Sequence, residues 1–441
     1  MSVSDRSWTW TDAHYCSLPS QTNIYGLARI KSGGGNRLLV ASLKGDTPIT
    51  LVSFDYKQNK LKPSTRTVQF TYIPADAEIA SIDVMNRFDP DSTLVVGITF
   101  IRHQSHDGKR TGQFLNLYFS FQGNEGETEE MMTKTIELSY VPFQLTHTVL
   151  LKDDVPEAVI LLSGGDKTIH MYRDVADNNF QEENTVEYFP EFIVFESNVL
   201  KFVMKYIDNC QKRLTAMGFQ SGQIRLTLVD VKENTVLKNW TDEHNSPVTS
   251  LVLFNPQNQA PCPQFIDSNQ SEDGIEDEEN NDFSLLVTSA LMPATVYRNV
   301  LTNALDDYLL IPDSDKYDTP LCSCVVDIDF DGHNEILLGT YGQELLAYKF
   351  VVDKSRSKKG SYELLWTRSF AFPVTGLDSL DIMGDGMKDL CVVTLKGLHI
   401  LQPDLPEVAE VCLERLILLA ESGSEIGDDY LQLQKELVEL N

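Results

Sequence analysis

Residues Val325 to Thr340 read VVDIDFDGHNEILLGT. Three aspartates stand at alternate positions, Asp327, Asp329 and Asp331. Gly332 and then Glu335 complete the skeleton of a calcium loop. An EF-hand would carry its bidentate carboxylate at position twelve, ahead of an exit helix. Position twelve is Leu338 here, and the carboxylate comes early as Glu335. The residues from Glu335 onward, EILLGT, form a short apolar run bounded by Gly339, which predicts a buried strand. The motif is therefore a calcium-type loop between two strands.

A second copy, LDIMGDGMKDLCVVTLKGLHIL, lies 54 residues later, counting from Asp327 to Asp381. It aligns Asp385 with Asp331, Gly386 with Gly332 and Asp389 with Glu335, while Met383 takes the place of Asp329. The strand that follows each loop, an apolar run ending at a small residue and a turn, recurs as LLVASLKG (38–45), VILLSGGD (159–166), LTAMGFQSG (214–222), LLVTSALMP (285–293) and ILLGTYG (336–342). LVVGITF (94–100) is a looser version, and LCVVTLKG (390–397) completes a set of seven. Self-similarity of this kind, about 40–50 residues per unit, marks the four-stranded blades of a β-propeller. The fold class is all-β, a seven-bladed β-propeller.

The last blade is incomplete. After GLHILQPD (397–404) the pattern turns helical, with Asp404 and Glu407 as a capping pair, so blade seven has three strands of its own. An unpaired edge is a liability that sheets avoid. All four tryptophans are followed by threonine: Trp240 and Trp366 in the outer strands of blades four and six, Trp8 and Trp10 in SWTWT. Residues 6–14 are therefore expected to close the ring. The propeller spans 1–404 and a helical tail spans 405–441. In the tail, Leu413, Leu416 and Ile417, then Leu433, Leu437 and Leu440, form stripes that pack on the flank or meet a partner. The acidic stretch 266–282 reads as a disordered insertion in blade five. DKSRSKKG (353–360) reads as a solvated loop.

The 441-residue chain carries a formal net charge of -29. This charge disfavours nucleic acid and direct docking on an anionic membrane. Seven scattered cysteines without a C-x-x-C pair suit reduced thiols, with Cys322 and Cys324 as buried neighbours on one strand face. No apolar run approaches the roughly 20 residues of a membrane span, and the N-terminus has no signal core. A soluble intracellular protein is expected, with the glycosylation matches at Asn239 and Asn269 unused.

Phosphate-loop, nucleophile-elbow and zinc-helix motifs are absent. Gly33, Gly34 and Gly35 lie between strands and open no helix, and the pairs Asp153–Asp154 and Asp306–Asp307 sit at turns. No catalytic or cofactor-binding residue is assigned, and the chain is not expected to be an enzyme. The candidate metal ligands are Asp327, Asp329, Asp331 and Glu335, with the His333 carbonyl. Together they offer about the right oxygen set for a structural calcium ion. The competing reading has the aspartates capping backbone N–H groups in a metal-free turn.

Repeats of the form D-x-D-x-D-G-x-x-[DE] between strands resemble the FG-GAP repeats of integrin α-subunit propellers. The segments TNIYGLA (22–28), QFTYIPADAEIASID (69–83), LVVGITFI (94–101), VPFQLTH (141–147), DIDFDGHNEILLGTYGQELLAYK (327–349) and LKGLHILQ (395–402) are further similar to the FG-GAP-type propeller family of the KICSTOR complex. That resemblance implies a non-enzymatic scaffold that works with a second FG-GAP propeller subunit, a helical subunit and a giant seizure-threshold subunit. Such an assembly recruits the GATOR GTPase-activating complex to the lysosome and restrains TOR kinase signalling during starvation. The resemblance also implies an alternative, an actin-associated protein of actin-rich cell projections.

Overall fold

The computed structural model describes residues 9–421, apart from 33–34, 46–48, 58–59, 88–93, 104–111, 120–131, 153–154, 177, 194, 257–281, 353–359 and 385. The strands form seven four-stranded antiparallel sheets, each a blade of a β-propeller. Six blades are continuous in sequence, spanning 27–68, 77–138, 142–183, 199–243, 248–310 and 320–369. Consecutive strands run from the axis outward, so each blade is a simple meander.

Every one of the seven apolar runs singled out in the sequence lies on the second strand of a blade. In blades 5, 6 and 7 these strands, Ser284–Ser289, Glu335–Thr340 and Asp389–Thr394, are buried at every residue. A strand covered on both faces by neighbouring blades has no solvent side, so its sequence runs apolar instead of alternating. The outer strands show the opposite. Thr235–Glu243 and Gly360–Ser369 are mostly exposed, and each carries a register shift that breaks the edge.

Blade 7 contributes Val374–Leu380, Asp389–Thr394 and Gly397–Pro403, and its fourth strand is the N-terminal Trp10–Ser17. That strand pairs antiparallel with the third, Trp10 facing Pro403 and Ser17 facing Gly397. Closure by the N-terminus is as expected, but the strand lies further along the chain than 6–14. Trp8 falls outside the described residues. Trp10 is 8% exposed and packs in one cluster with Phe370, Leu401 and Val411. Arg368, on the outer strand of blade 6, donates to the Trp10 carbonyl and pairs with Asp12 at 2.7 Å, tying the closing strand to the preceding blade.

The chain then enters the helix Leu405–Glu421, capped by the Asp404 carboxylate, which accepts from the Glu407 N–H at 3.2 Å. Val408 and Val411 rest on the Trp10 cluster, while Leu405, Leu413 and Ile417 are exposed. The second tail helix, almost all of the acidic insertion and nearly all of the basic loop lie outside the described residues, as do Asp153 and Asp154.

Two buried polar groups brace the blades. Arg213, on the second strand of blade 4, forms a two-pronged ion pair with Glu191, in the connection from blade 3, at 2.7 and 2.9 Å. Thr215 donates to the same carboxylate at 2.9 Å, and the guanidinium lies 4.5 Å from the Phe189 ring centroid. The second group sits between blades 4 and 5. One ring nitrogen of His244 lies 2.7 Å from the Ser289 hydroxyl and the other 3.1 Å from the Tyr297 hydroxyl, which donates to Asp242 at 2.5 Å. Serine, histidine and aspartate are the residue types of a hydrolytic triad, but Ser289 is fully buried and Tyr297 stands between histidine and acid. The arrangement joins blades 4 and 5.

Three outcomes follow from this construction. Removing residues 1–17 strips blade 7 of its outer strand and uncovers the Trp10 cluster, so the truncated chain should aggregate or melt far below the full chain in calorimetry. A monomeric truncation with unchanged melting would remove closure as a constraint. Glu191→Ala leaves the Arg213 charge buried without a partner and should cost about 3–5 kcal/mol in chemical denaturation. Burial lowers the pKa of His244 below the usual 6.5. The unfolded chain therefore takes up the proton first, and stability present above about pH 6.5 should fall as the pH drops below it. The slope of melting temperature against pH between about 7 and 5 should be shallower in His244→Gln.

Candidate functional site

The loop of the opening motif connects the first strand of blade 6, Pro320–Val326, to the second, Glu335–Thr340. Its residues alternate in role. Ile328 is buried and Phe330 partly buried in the cluster that joins blades 6 and 7, while the aspartates turn to the other side. The turn uses left-handed backbone at Phe330 (φ 56°) and Gly332 (φ 90°). At Gly332 a Cβ would meet nothing within 4 Å, so backbone conformation and not space calls for glycine. Asn334 anchors the loop to blade 5 through a 2.8 Å bond to the Asn255 carbonyl.

The four expected metal ligands share this loop, and oxygens of three of them, Asp327, Asp329 and Glu335, come together. Asp327 accepts from the Asp331 N–H at 3.2 Å and the Gly332 N–H at 2.9 Å. Asp329 and Asp331 accept from the N–H groups of Asp331 and His333 at 3.3 and 2.8 Å. Glu335, fully buried, accepts from the Ile328 N–H at 2.9 Å. Oxygens of Asp327, Asp329 and Glu335 lie within 4.8 Å of one another. The His333 side chain is exposed.

A residue that the loop motif does not contain completes the site. Lys349, on the third strand Glu344–Val352, sends its ammonium among the carboxylates. It bonds Asp329, bonds Asp331 at 2.7 Å and lies 3.5 Å from Glu335 Oε1, a buried atom with no hydrogen bond. Burial, and next the Asp329 charge, push the Glu335 carboxyl up to about 8. Burial also acts on Asp331, but the Lys349 bond and the His333 amide outweigh it and hold this carboxyl low. For Lys349 burial opposes the charge, yet the bonds to Asp329 and Asp331 raise its pKa. With the ammonium in place, the donor set does not fit a divalent ion, because the inward oxygens of Asp329, Asp331 and Glu335 already face a positive charge. The calcium and lysine readings assign the same oxygens to different cations.

The blade 7 copy keeps the frame. Asp381 accepts from the Gly384 and Gly386 N–H groups at 2.6 and 2.8 Å, and Asp389 from the Ile382 N–H at 3.2 Å. Gln402, on the third strand, donates to Asp389 at 2.8 Å and approaches the Met383 sulfur at the same distance.

Elsewhere, the inner strands of blades 3, 4 and 5 line a cavity of about 270 Å³ with Gln144, His147, Lys201, Met204 and Ser250. Burial brings the Lys201 amine down to about 8. Its Nζ donates to the Ile24 carbonyl at 3.3 Å and sits 4.3 Å from the Tyr25 ring centroid. Cys322 and Cys324 are free thiols whose pKa values burial raises, Cys324 to about 11. Asp307 pairs with Arg298 at 2.7 Å.

Among known proteins, the family profile described as KICSTOR complex protein kaptin matches residues 10–413. The mouse (Mus musculus) KICSTOR complex protein kaptin is 39% identical over 410 residues, covering 91% of this chain and 90% of that protein. Among solved structures, the crystal structure of Chaetomium thermophilum Raptor superimposes with a TM-score of 0.50 at 11% identity, over 91% of this chain and 29% of that one. A likeness at that identity speaks for the propeller fold alone. The profile match, from the closing strand to the C-terminal helix, and the 39% identity establish that the chain belongs to the kaptin family.

Proposed function

We propose that the chain is a non-enzymatic scaffold subunit of a KICSTOR assembly. In this reading it helps to recruit the GATOR complex to the lysosome and restrains TOR kinase signalling when amino acids or glucose are scarce. The observation that carries the reading is family membership across residues 10–413. Its direct partners are a second FG-GAP propeller subunit, a helical subunit and the giant seizure-threshold subunit, with GATOR reached indirectly. The net charge of -29 supports arrival at the lysosome through proteins, since anionic lipid repels such a chain.

The surface supports stable protein contacts. The outer strands of blades 4, 5 and 6 expose Val236 and Leu237, Tyr308 and Leu310, and Leu364 and Leu365, and the helix exposes Leu413 and Ile417. A lasting interface covers about 1,000 Å² or more, with an apolar centre.

The test is affinity capture from fed and starved cells, followed by rescue of null cells. Recovery of the second propeller and the giant subunit, with TOR left active during starvation in the null cells, is expected. Actin and its cross-linkers recovered without those subunits would replace the scaffold reading with a cytoskeletal one. Leu413→Glu combined with Ile417→Glu removes exposed side chains only, so it should leave melting unchanged while weakening recovery of the partners.

A further inference from the structure

Carboxylates gather in loops of the D-x-D-x-D-G type because an ion holds them together against their mutual repulsion. In blade 6 the point of convergence already holds a positive charge. An ammonium has three N–H donors. That of Lys349 faces one oxygen each from Asp329, Asp331 and Glu335. The other oxygens of the set are turned onto the amides of Ile328, Asp331, Gly332 and His333. Glu335 Oε1 is buried and makes no hydrogen bond among the described residues, and the Lys349 ammonium lies 3.5 Å from it.

Blade 7 offers an internal comparison. Lys349 lies one residue past Tyr348, the partner of Ile336, and Gln402 lies one residue past Leu401, the partner of Leu390. Ile336 and Leu390 each follow the last carboxylate of their loop, so Lys349 and Gln402 occupy the same place in their blades. Asp329 and Met383 are likewise equivalent. The carboxylate and the cation are therefore present together in blade 6 and replaced together in blade 7. Each pair of positions sums to zero charge. Where no extra carboxylate has to be held, a neutral amide bonded to Asp389 suffices.

We propose that Lys349 is a tethered cation that does in blade 6 the work of a divalent ion, so that this loop closes without metal and a divalent-cation site lies latent beneath the ammonium. A cation fixed to the third strand of the same blade is held at a high effective concentration, and the loop becomes indifferent to calcium supply. The side chain also gives the loop a bond to the third strand that an ion held by loop oxygens alone does not provide.

The experiment compares melting of the full chain, wild type and variants, in chelator and in millimolar calcium, with calcium binding followed by isothermal titration. Wild type should melt identically in both and take up no calcium. Lys349→Gln should melt about 4 °C lower in chelator, as expected when one partner of a buried ionic group is removed, and should regain stability and bind calcium when the ion is added. The double variant Asp329→Met, Lys349→Gln, which reproduces the blade 7 pair, should return to wild-type melting with no calcium response. Calcium binding or calcium-raised melting in the wild type would overturn the proposal and make Asp327, Asp329, Asp331 and Glu335 metal ligands as they stand. A Lys349→Gln protein indifferent to removal and addition of calcium, with wild-type melting, would overturn it as well. If the single variant fails to fold, the double variant decides: folded and metal-insensitive supports the proposal, unfolded ends it.

Discussion

The structure depends on closing a ring of sheets that cannot stand singly. A blade buries its second strand only when another blade covers each face, and the last sheet must find a fourth strand or leave its ladder open. Both requirements meet in one cluster. Trp10 of the closing strand, Ile328 of the acidic loop, Phe370 at the end of blade 6, Leu401 of blade 7 and Val411 of the C-terminal helix share a single apolar core. The first strand, the last strand and the helix after it are thus held by the same burial. Arg368 adds a polar tie across the seam through the Trp10 carbonyl and Asp12.

That core explains why a cluster of carboxylates sits where it does. Ile328 and Phe330 pack into the seam, and Asp327, Asp329 and Asp331 bond on the opposite side of the loop, where Glu335 rises from the adjoining strand. Packing assembles the acidic site as a by-product, and its charge must then be answered from somewhere. Lys349 reaches it from the third strand of the same blade. The electrostatics of the site are a consequence of the hydrophobic seam, not an independent feature laid over it.

The second strands were legible because burial on both faces leaves a run such as EILLGT with no polar alternation, a pattern that survives in all seven blades. The closing strand was legible only as a need. The Trp-Thr dipeptide led to the right segment through an analogy that the register does not keep. Trp366 stands opposite Ala347, and the blade 7 equivalent of Ala347 is Ile400, which faces His14 and not Trp10. The strand accordingly runs on to Ser17. The four carboxylates could be read from spacing, whereas Lys349 could not, since it lies beyond the loop and enters only through hairpin register. Aligning the third strands of blades 6 and 7 against their loops would have exposed the paired exchange of Asp329 with Met383 and Lys349 with Gln402. Glu191 and His244 carried no local signal, because their partners stand 22 and 45 residues away.

A propeller braced in this way is stiff around its circumference, and exposed apolar side chains lie at its rim. The outer strands of blades 4 and 6 carry bulged edges and mix exposed leucines with charge, so they resist adding a strand from an arbitrary chain while still offering apolar area to a matched surface. The helix after blade 7 extends the same rim. Its inner side is spent on the Trp10 cluster, and Leu413 and Ile417 face outward from a base fixed by Val408 and Val411. For the proposed scaffold role this division matters physically. A partner bound at the outward side of the helix sits beside the seam that closes the ring, so any partner that stabilises the helix also stabilises closure.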